Sequence, residues 1–182
     1  MYFLSIKVEL LDDLKGVVSG KDAQMLYDEG YGIFDNGRLK LEPLEIAYLL
    51  FKGRVKTLSE GVEVKLEEYF SKLHSQDRDF WVKFTVYHDL KSRGRVVKPG
   101  FTSNSLLIYP SKNTNEPADK IVYIVEESKM MSLEELLEWL QIASRTDKEP
   151  IIAIVDRHGD VTYYSMGRFT PFKIGGVSNG KI

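Results

Sequence analysis

Apolar and polar positions along the chain change period several times. The opening stretch "MYFLSIKVEL" alternates loosely and is rich in β-formers, which predicts a first strand. "SGKDAQMLYDEGYG" offers Ser19 as an N-cap and closes on glycines 30 and 32, the signature of a short helix with a stop. In "FDNGRLKL" the dipeptide Asn36-Gly37 predicts a tight hairpin turn. "LEPLEIAYLLFKG" places Leu44, Ala47, Tyr48 and Phe51 on one helical face, with Gly53 beyond its end. Two further helical patterns follow. Val64, Leu66, Tyr69, Phe70 and Leu73 share one, and Phe80, Trp81, Phe84, Tyr87, His88 and Leu90 share the other, terminated by Gly94. The aromatics of these two segments read as core, and His88 as a packed helix residue rather than a catalyst.

Beyond Gly94 the texture becomes β. "RVVKPG", "SLLIY", "KIVYIVEE", "PIIAIVD" and "DVTYYSM" are short runs of strand type. A single helical segment, "SLEELLEWLQIASR", interrupts them. Its Ser132 and Glu135 have capping-box spacing, so hydroxyl and carboxylate can each satisfy an orphan amide. "DRHGD" predicts a hairpin between the last two strands, and "TPFKIGGVSNGKI" reads as a flexible Gly-rich tail. The class is therefore α+β, in two small mixed halves. The boundaries fall at 1–75 for the N-terminal domain, 76–169 for the mostly β C-terminal domain with flanking helices, and 170–182 for the tail. No internal repeat is evident.

Composition narrows the chemistry. The 182 residues are 43% hydrophobic and 29% charged, enough apolar material for a real core. With 25 Lys+Arg against 27 Asp+Glu there is no global basic excess, so any nucleic-acid contact must be local. Absence of cysteine excludes disulfides, thiolate zinc sites and thiol catalysis, and three histidines leave little for a His-based metal site. No apolar run is long enough to span a membrane and no signal peptide is evident, so the expected location is the cytoplasm, with no membrane partner. No P-loop, dinucleotide fingerprint, nucleophile elbow or zincin motif occurs. The carboxylates of "EVKLEE" and "LEELLE" read as solvated helix faces. Lys91, Arg93, Arg95 and Lys98 cluster where a helix gives way to a strand. They fit either helix-terminal electrostatics or a local phosphate contact.

"VYHDLKSRGRVVKPG" resembles the tRNA-splicing endonuclease family of archaea. Its members carry a tyrosine, an acidic residue, a DLR-like triplet, an Arg-Gly pair, a β run and a glycine, here Tyr87, Asp89, Leu90, Lys91, Arg93, Gly94 and Gly100. "IIAIVDRHGDVTYYSM" is similar to the family's closing hairpin, while "DAQMLYDEGYG" and "LEPLEIAYLLFKG" resemble its N-terminal domain more weakly. The likeness spans about residues 20–166. It implies an endonuclease-like C-terminal domain and metal-independent, cofactor-free cleavage of precursor tRNA. In that chemistry a tyrosine is general base on a 2'-hydroxyl, a histidine is general acid on the 5'-oxygen, and a lysine stabilises the transition state. The products are 2',3'-cyclic phosphate and 5'-hydroxyl ends.

Carried over by position, the family tyrosine falls on Tyr109, at the end of "GFTSNSLLIY", a stretch one residue shorter than the family's and rewritten at Ser103, Asn104, Ser105 and Leu106. The histidine, three residues before a strand tyrosine, falls on Lys120, beside Asp119. The lysine falls on Lys148, eight residues before Asp156. A lysine of ordinary pKa substitutes poorly for imidazole near neutral pH. An arginine that would sandwich a flipped intron base is replaced by Gln141, with Arg145 one turn on. Arg93, Lys98 and Arg145 remain as RNA-contact candidates.

The resemblance thus implies the structural subunit of a heterotetramer. On that resemblance the chain is expected to pair two-and-two with a homologous catalytic subunit and to support assembly on the bulge–helix–bulge fold of precursor tRNA. The alternatives are a self-sufficient endonuclease and an RNA-binding relative unconnected with splicing. Assembly in the family implies two surfaces here. One is the final-strand face with Val161, Tyr163, Tyr164, Met166 and Phe169. The other is an acidic docking loop with Glu126 and Glu127.

Overall fold

The computed structural model describes residues 5–112 and 116–167. Among them, the N-terminal half builds a sheet in the order β3-β4-β2-β1-β5-β6. Its strands are β1 (Ile6–Leu10), β2 (Gly16–Val18), β3 (Ile33–Asp35), β4 (Arg38–Leu41), β5 (Val55–Ser59) and β6 (Val62–Val64). Helix α1 (Gly20–Asp28) precedes β3, α2 (Pro43–Phe51) separates β4 from β5, and α3 (Leu66–Gln76) follows β6. Asn36 and Gly37 both have positive φ, 50° and 77°, the backbone of a two-residue hairpin turn whose twist matches its strands.

Helix α4 (Phe80–Ser92) then leads into a second sheet, ordered β11-β10-β9-β8-β7. Its strands are β7 (Val96–Pro99), β8 (Ser105–Tyr109), β9 (Lys120–Glu126), β10 (Glu149–Val155) and β11 (Val161–Ser165). Only β9 and β10 run parallel, because α5 (Leu133–Arg145) carries the crossover between them; the other neighbours are antiparallel. The expected capping box is formed: Ser132 Oγ accepts from the Glu135 amide at 3.1 Å and Glu135 Oε2 from the Ser132 amide at 2.9 Å. The "DRHGD" hairpin is also present, and Asp156 Oδ1 accepts from the amides of His158 and Asp160 to hold the turn.

Period-2 alternation sorts the second sheet's side chains. Leu106, Ile108, Val122, Ile124, Ala153 and Val155 join one core that continues through α4 into the first sheet as far as Ile6 and Val8. Leu107, Ile121 and Tyr123 point the other way, into a smaller core with Ala143 of α5 and half-buried Trp139. α4 is thus a shared wall, which explains why Tyr87 is wholly buried at its centre.

Several expectations need correction. The third helix starts at Leu66 rather than Val64, because Val64 pairs with Thr57 in β6. The sequence reading does not foresee strands β2, β5 and β6. α2 buries Glu45 to Leu49 consecutively instead of a single stripe, since it is packed on several sides. Trp81 is 49% exposed rather than core. Ser19 occupies the N-cap of α1 without a side-chain capping bond. Phe169 and the tail from 170 onward lie outside the described residues.

Candidate functional site

Tyr109 ends β8, and the strand's alternation turns it to the α5 side with Leu107. It is half-buried at the lip of a cleft of about 540 Å³ between the two halves, lined also by Gly32, Glu45, Lys98 and Phe101. Burial pushes its phenol pKa up, and the nearby Glu45 charge pushes the same way. A general base must give up its proton, so this environment works against that role. Lys98 Nζ sits 5.7 Å from the Tyr109 ring centroid.

Lys148 precedes β10 on the same side. Its ammonium donates to the carbonyls of Ala118, at 2.9 Å, and Thr146, at 3.2 Å, and lies 5.8 Å from the Phe101 ring centroid. The lysine therefore ties the β8–β9 connection to the α5–β10 loop. Both elements of the cation's coordination come from backbone oxygens of its own chain.

Lys120 is placed elsewhere. It pairs with Ile108 across the β8–β9 ladder, so its side chain shares the Ile108 face and points away from that of Tyr109. Directly opposite it on β10 stands Glu149, and the two side chains form an ion pair. That contact raises the Lys120 pKa and lowers the Glu149 pKa. Position counting brought Lys120 to the tyrosine; the sheet separates them. All three histidines of the chain are also remote: His74 is exposed on α3, His88 packs against Tyr48, Phe51 and Phe84, and His158 is exposed in the β10–β11 turn.

The phosphate-contact candidates divide similarly. Arg93 is exposed beyond α4, with its Nε donating to Asp89 Oδ2 at 2.8 Å. Arg145 and Gln141 are exposed on α5. Lys98 requires correction as a surface cation. It is only 7% exposed and donates to the Gly32 carbonyl at 2.5 Å, and burial lowers its pKa against the opposing pull of Glu45. It is a strut between the halves.

Of the interface candidates, Val161 and Tyr163 pack on the large core, and the Tyr163 hydroxyl donates to Asp89 Oδ2 at 2.7 Å. Burial and the Asp89 contact raise the Tyr163 pKa. Burial also pushes Asp89 up, but the bonds from Arg93 and Tyr163 together hold its carboxyl low. Tyr164 is on the opposite face and 54% exposed, while Met166 packs with the α5 core. β11 is an edge strand with β10 as its sole partner in the described sheet. Glu126 ends β9 half-exposed, and Glu127 is exposed with its amide donating to the Val155 carbonyl at 2.9 Å.

Sequence reasoning missed Glu45. It is wholly buried, and its two oxygens accept from the amides of Gly32, at 2.8 Å, and Glu42, at 2.9 Å. Burial raises its pKa despite these bonds. The available signal was a glutamate three residues after position 42 at a helix start. Among the described residues no cluster of three or more His, Asp or Glu is placed to hold a metal, and no helix is long and apolar enough to cross a membrane.

A helix-walled, mostly antiparallel sheet joined through α4 to a smaller α+β unit is a two-domain endonuclease-type architecture. Residues 80–163 match the catalytic C-terminal domain of tRNA intron endonuclease, and residues 7–70 match its N-terminal domain. The chain belongs to the tRNA intron endonuclease family. It is 34% identical to the tRNA-splicing endonuclease of Pyrococcus abyssi over 79% of this chain and 84% of the relative. It is 31% identical to an EndA-like protein of Methanopyrus kandleri over 88% of this chain and 96% of that protein. The tRNA-splicing endonuclease of Methanococcoides burtonii is 31% identical over 90% of this chain but only 46% of its own length.

Proposed function

We propose that this chain is the structural, non-catalytic subunit of a tRNA-splicing endonuclease acting on precursor tRNA in the cytoplasm, assembled two-and-two with a homologous catalytic subunit. The observation that carries the reading is the chemistry of the Tyr109 face. A 2'-hydroxyl attack on the scissile phosphate needs a base, a proton donor for the leaving 5'-oxygen, and a cation where charge accumulates. Here the phenol is held protonated by burial, and the ammonium of Lys148 is engaged by two carbonyls. Every imidazole of the chain lies elsewhere. Loss of the general acid alone slows such a reaction by about 10²–10⁴-fold. The fold offers a two-domain body in which, among the described residues, β11 lies at the sheet edge, suited to assembly.

The test mixes purified chain with a family member of intact Tyr-His-Lys chemistry and a bulge–helix–bulge RNA. The chain alone should leave the RNA uncut and the mixture should cleave it. Cleavage by the chain alone, abolished by Tyr109→Phe, would instead establish a self-sufficient enzyme. RNA binding without complex formation or activation would make it a relative outside splicing.

A further inference from the structure

Helices α2, α3 and α4 together line an aromatic cavity of about 390 Å³ at the surface. Phe70 and Phe84 are buried at its base, with ring centroids 5.0 Å apart. Phe51 and Trp81 border it, each 49% exposed. The Phe51 ring lies 5.8 Å from Phe84 and the Trp81 ring 5.0 Å from Phe70, so the four rings form one continuous cluster. A tryptophan half in water beside a hollow of aromatic rings marks a contact surface, because aromatic anchors in pockets dominate binding energy at interfaces. No residue of β11 and neither Glu126 nor Glu127 lines this cavity.

The polar rim discriminates between occupants. α3 contributes Glu67, Ser71 and His74 to it. Glu67 and His74 are seven residues apart, about two helical turns, so they stand on one line along α3 with Phe70 and Ser71 midway. A two-fold axis at that midpoint runs two copies of α3 antiparallel. It sets the Glu67 carboxylate of one copy against the His74 imidazole of the other, twice, and brings the two aromatic hollows face to face. A carboxylate accepting from an imidazole N–H is a complementary contact, so the patch matches a second copy of itself. Among the described residues no lysine or arginine lines the cavity, so phosphate finds no cation there and RNA is disfavoured. Lys52 stands outside the lining, 5.6 Å from the Tyr48 ring centroid and 5.9 Å from that of Phe51.

We propose that this cavity is a self-association surface. Two copies of the chain pair through antiparallel α3 helices, with Phe51 and Trp81 of each against the aromatic rings of the other and Glu67 against His74. The pairing is independent of the structural-subunit reading, since no residue of the Tyr109 face takes part. It also uses no residue of β11, so it can join chains whose β11 edges are already engaged.

The experiment follows the full chain alone by sedimentation velocity over a concentration series at fixed salt. The chain has two tryptophans, so a Trp139→Phe background leaves Trp81 as the only indole. Its emission should move to the blue as copies pair and the ring leaves water. Trp81→Ala should weaken self-association by about 30-fold or more. Glu67→Lys and His74→Glu should each weaken it by about fivefold or more, the pair occurring twice in the dimer, and keep the wild-type melting curve because neither side chain is buried. The double variant Glu67→Lys/His74→Glu restores opposite charges across the axis and should recover wild-type affinity within about threefold. This rescue decides the matter even where Trp81→Ala is too unstable to use. A chain that stays monomeric at every concentration overturns the proposal, as does self-association that neither Trp81→Ala nor the single charge variants weaken. Weakening by Trp81→Ala without the charge rescue rejects the antiparallel pairing. Trp81 emission that moves only on addition of a catalytic family member or of RNA assigns the cavity to that partner and overturns the proposal too.

Discussion

Tyr123 and Trp139 lie face to face, with ring centroids 4.6 Å apart and planes 4° from parallel, and the Tyr123 hydroxyl donates to the Trp139 carbonyl at 2.9 Å. This contact seats α5, which otherwise buries only Ala143, on the sheet. Burial moves the Tyr123 phenol up to about 12. Trp139→Ala should destabilise the chain by about 2–3 kcal/mol, below the cost at a fully buried site because Trp139 is partly exposed. Tyr123→Phe removes the hydrogen bond but keeps the stack and should cost about 1 kcal/mol. Urea denaturation gives both values, and the near-ultraviolet circular dichroism band of the stack should vanish only in the alanine variant.

Tyr109→Phe should leave activation of the catalytic subunit within about twofold of wild type, because the phenol has no role in cleavage under the structural reading. A rate assay at saturating subunit concentration measures this. A loss of about 100-fold or more would mean that Tyr109 acts on the reacting phosphate.

Glu45→Ala should be among the costliest single substitutions. It strands the Gly32 and Glu42 amides and removes the nearby negative partner of Lys98. A loss of about 3 kcal/mol in urea denaturation is expected from broken buried polar contacts.

Lys91 supplies a pH-dependent term. Its ammonium lies 3.9 Å from the Tyr31 ring centroid at the junction of the two halves. Burial lowers its pKa to about 8, with Glu45 and Glu29 opposing the shift and Arg54 and Lys112 adding to it; the Tyr48 ring also lies 6.0 Å away. The unfolded chain therefore binds more protons at this residue between about pH 8 and its ordinary value near 10.4. The Lys91 contribution is unfavourable below pH 8 and is relieved as pH rises through that window. Comparing wild type with Lys91→Met by urea denaturation at pH 7.5 and pH 9.5 should show wild type gaining on the variant at the higher pH. A pH-independent difference would place the lysine outside the low-dielectric junction.

The large elements were legible because their signals are local. α4 and α5 declare themselves by apolar spacing, Gly94 and the Ser132–Glu135 pair, and β7 to β11 by short β-rich runs. β2, β5 and β6 stayed hidden, although positive φ at Glu60 and Gly61 shows a turn between β5 and β6 that the Glu-Gly dipeptide could have suggested. The site was less legible for a different reason. Whether Lys98 faces solvent or Gly32, and which face Lys120 occupies, depend on ladder register and on how the halves pack. Neither can be counted along the chain.

Strand parity at Lys120 also constrains how this chain could change. A single Lys120→His replacement would place an imidazole beside Glu149, with the body of the sheet between it and Tyr109. Under the structural-subunit reading, an acid on the Tyr109 face would need a replacement outside position 120 together with release of Lys148 from its two carbonyls. The register of the sheet, more than the identity of residue 120, decides which face such a group would meet.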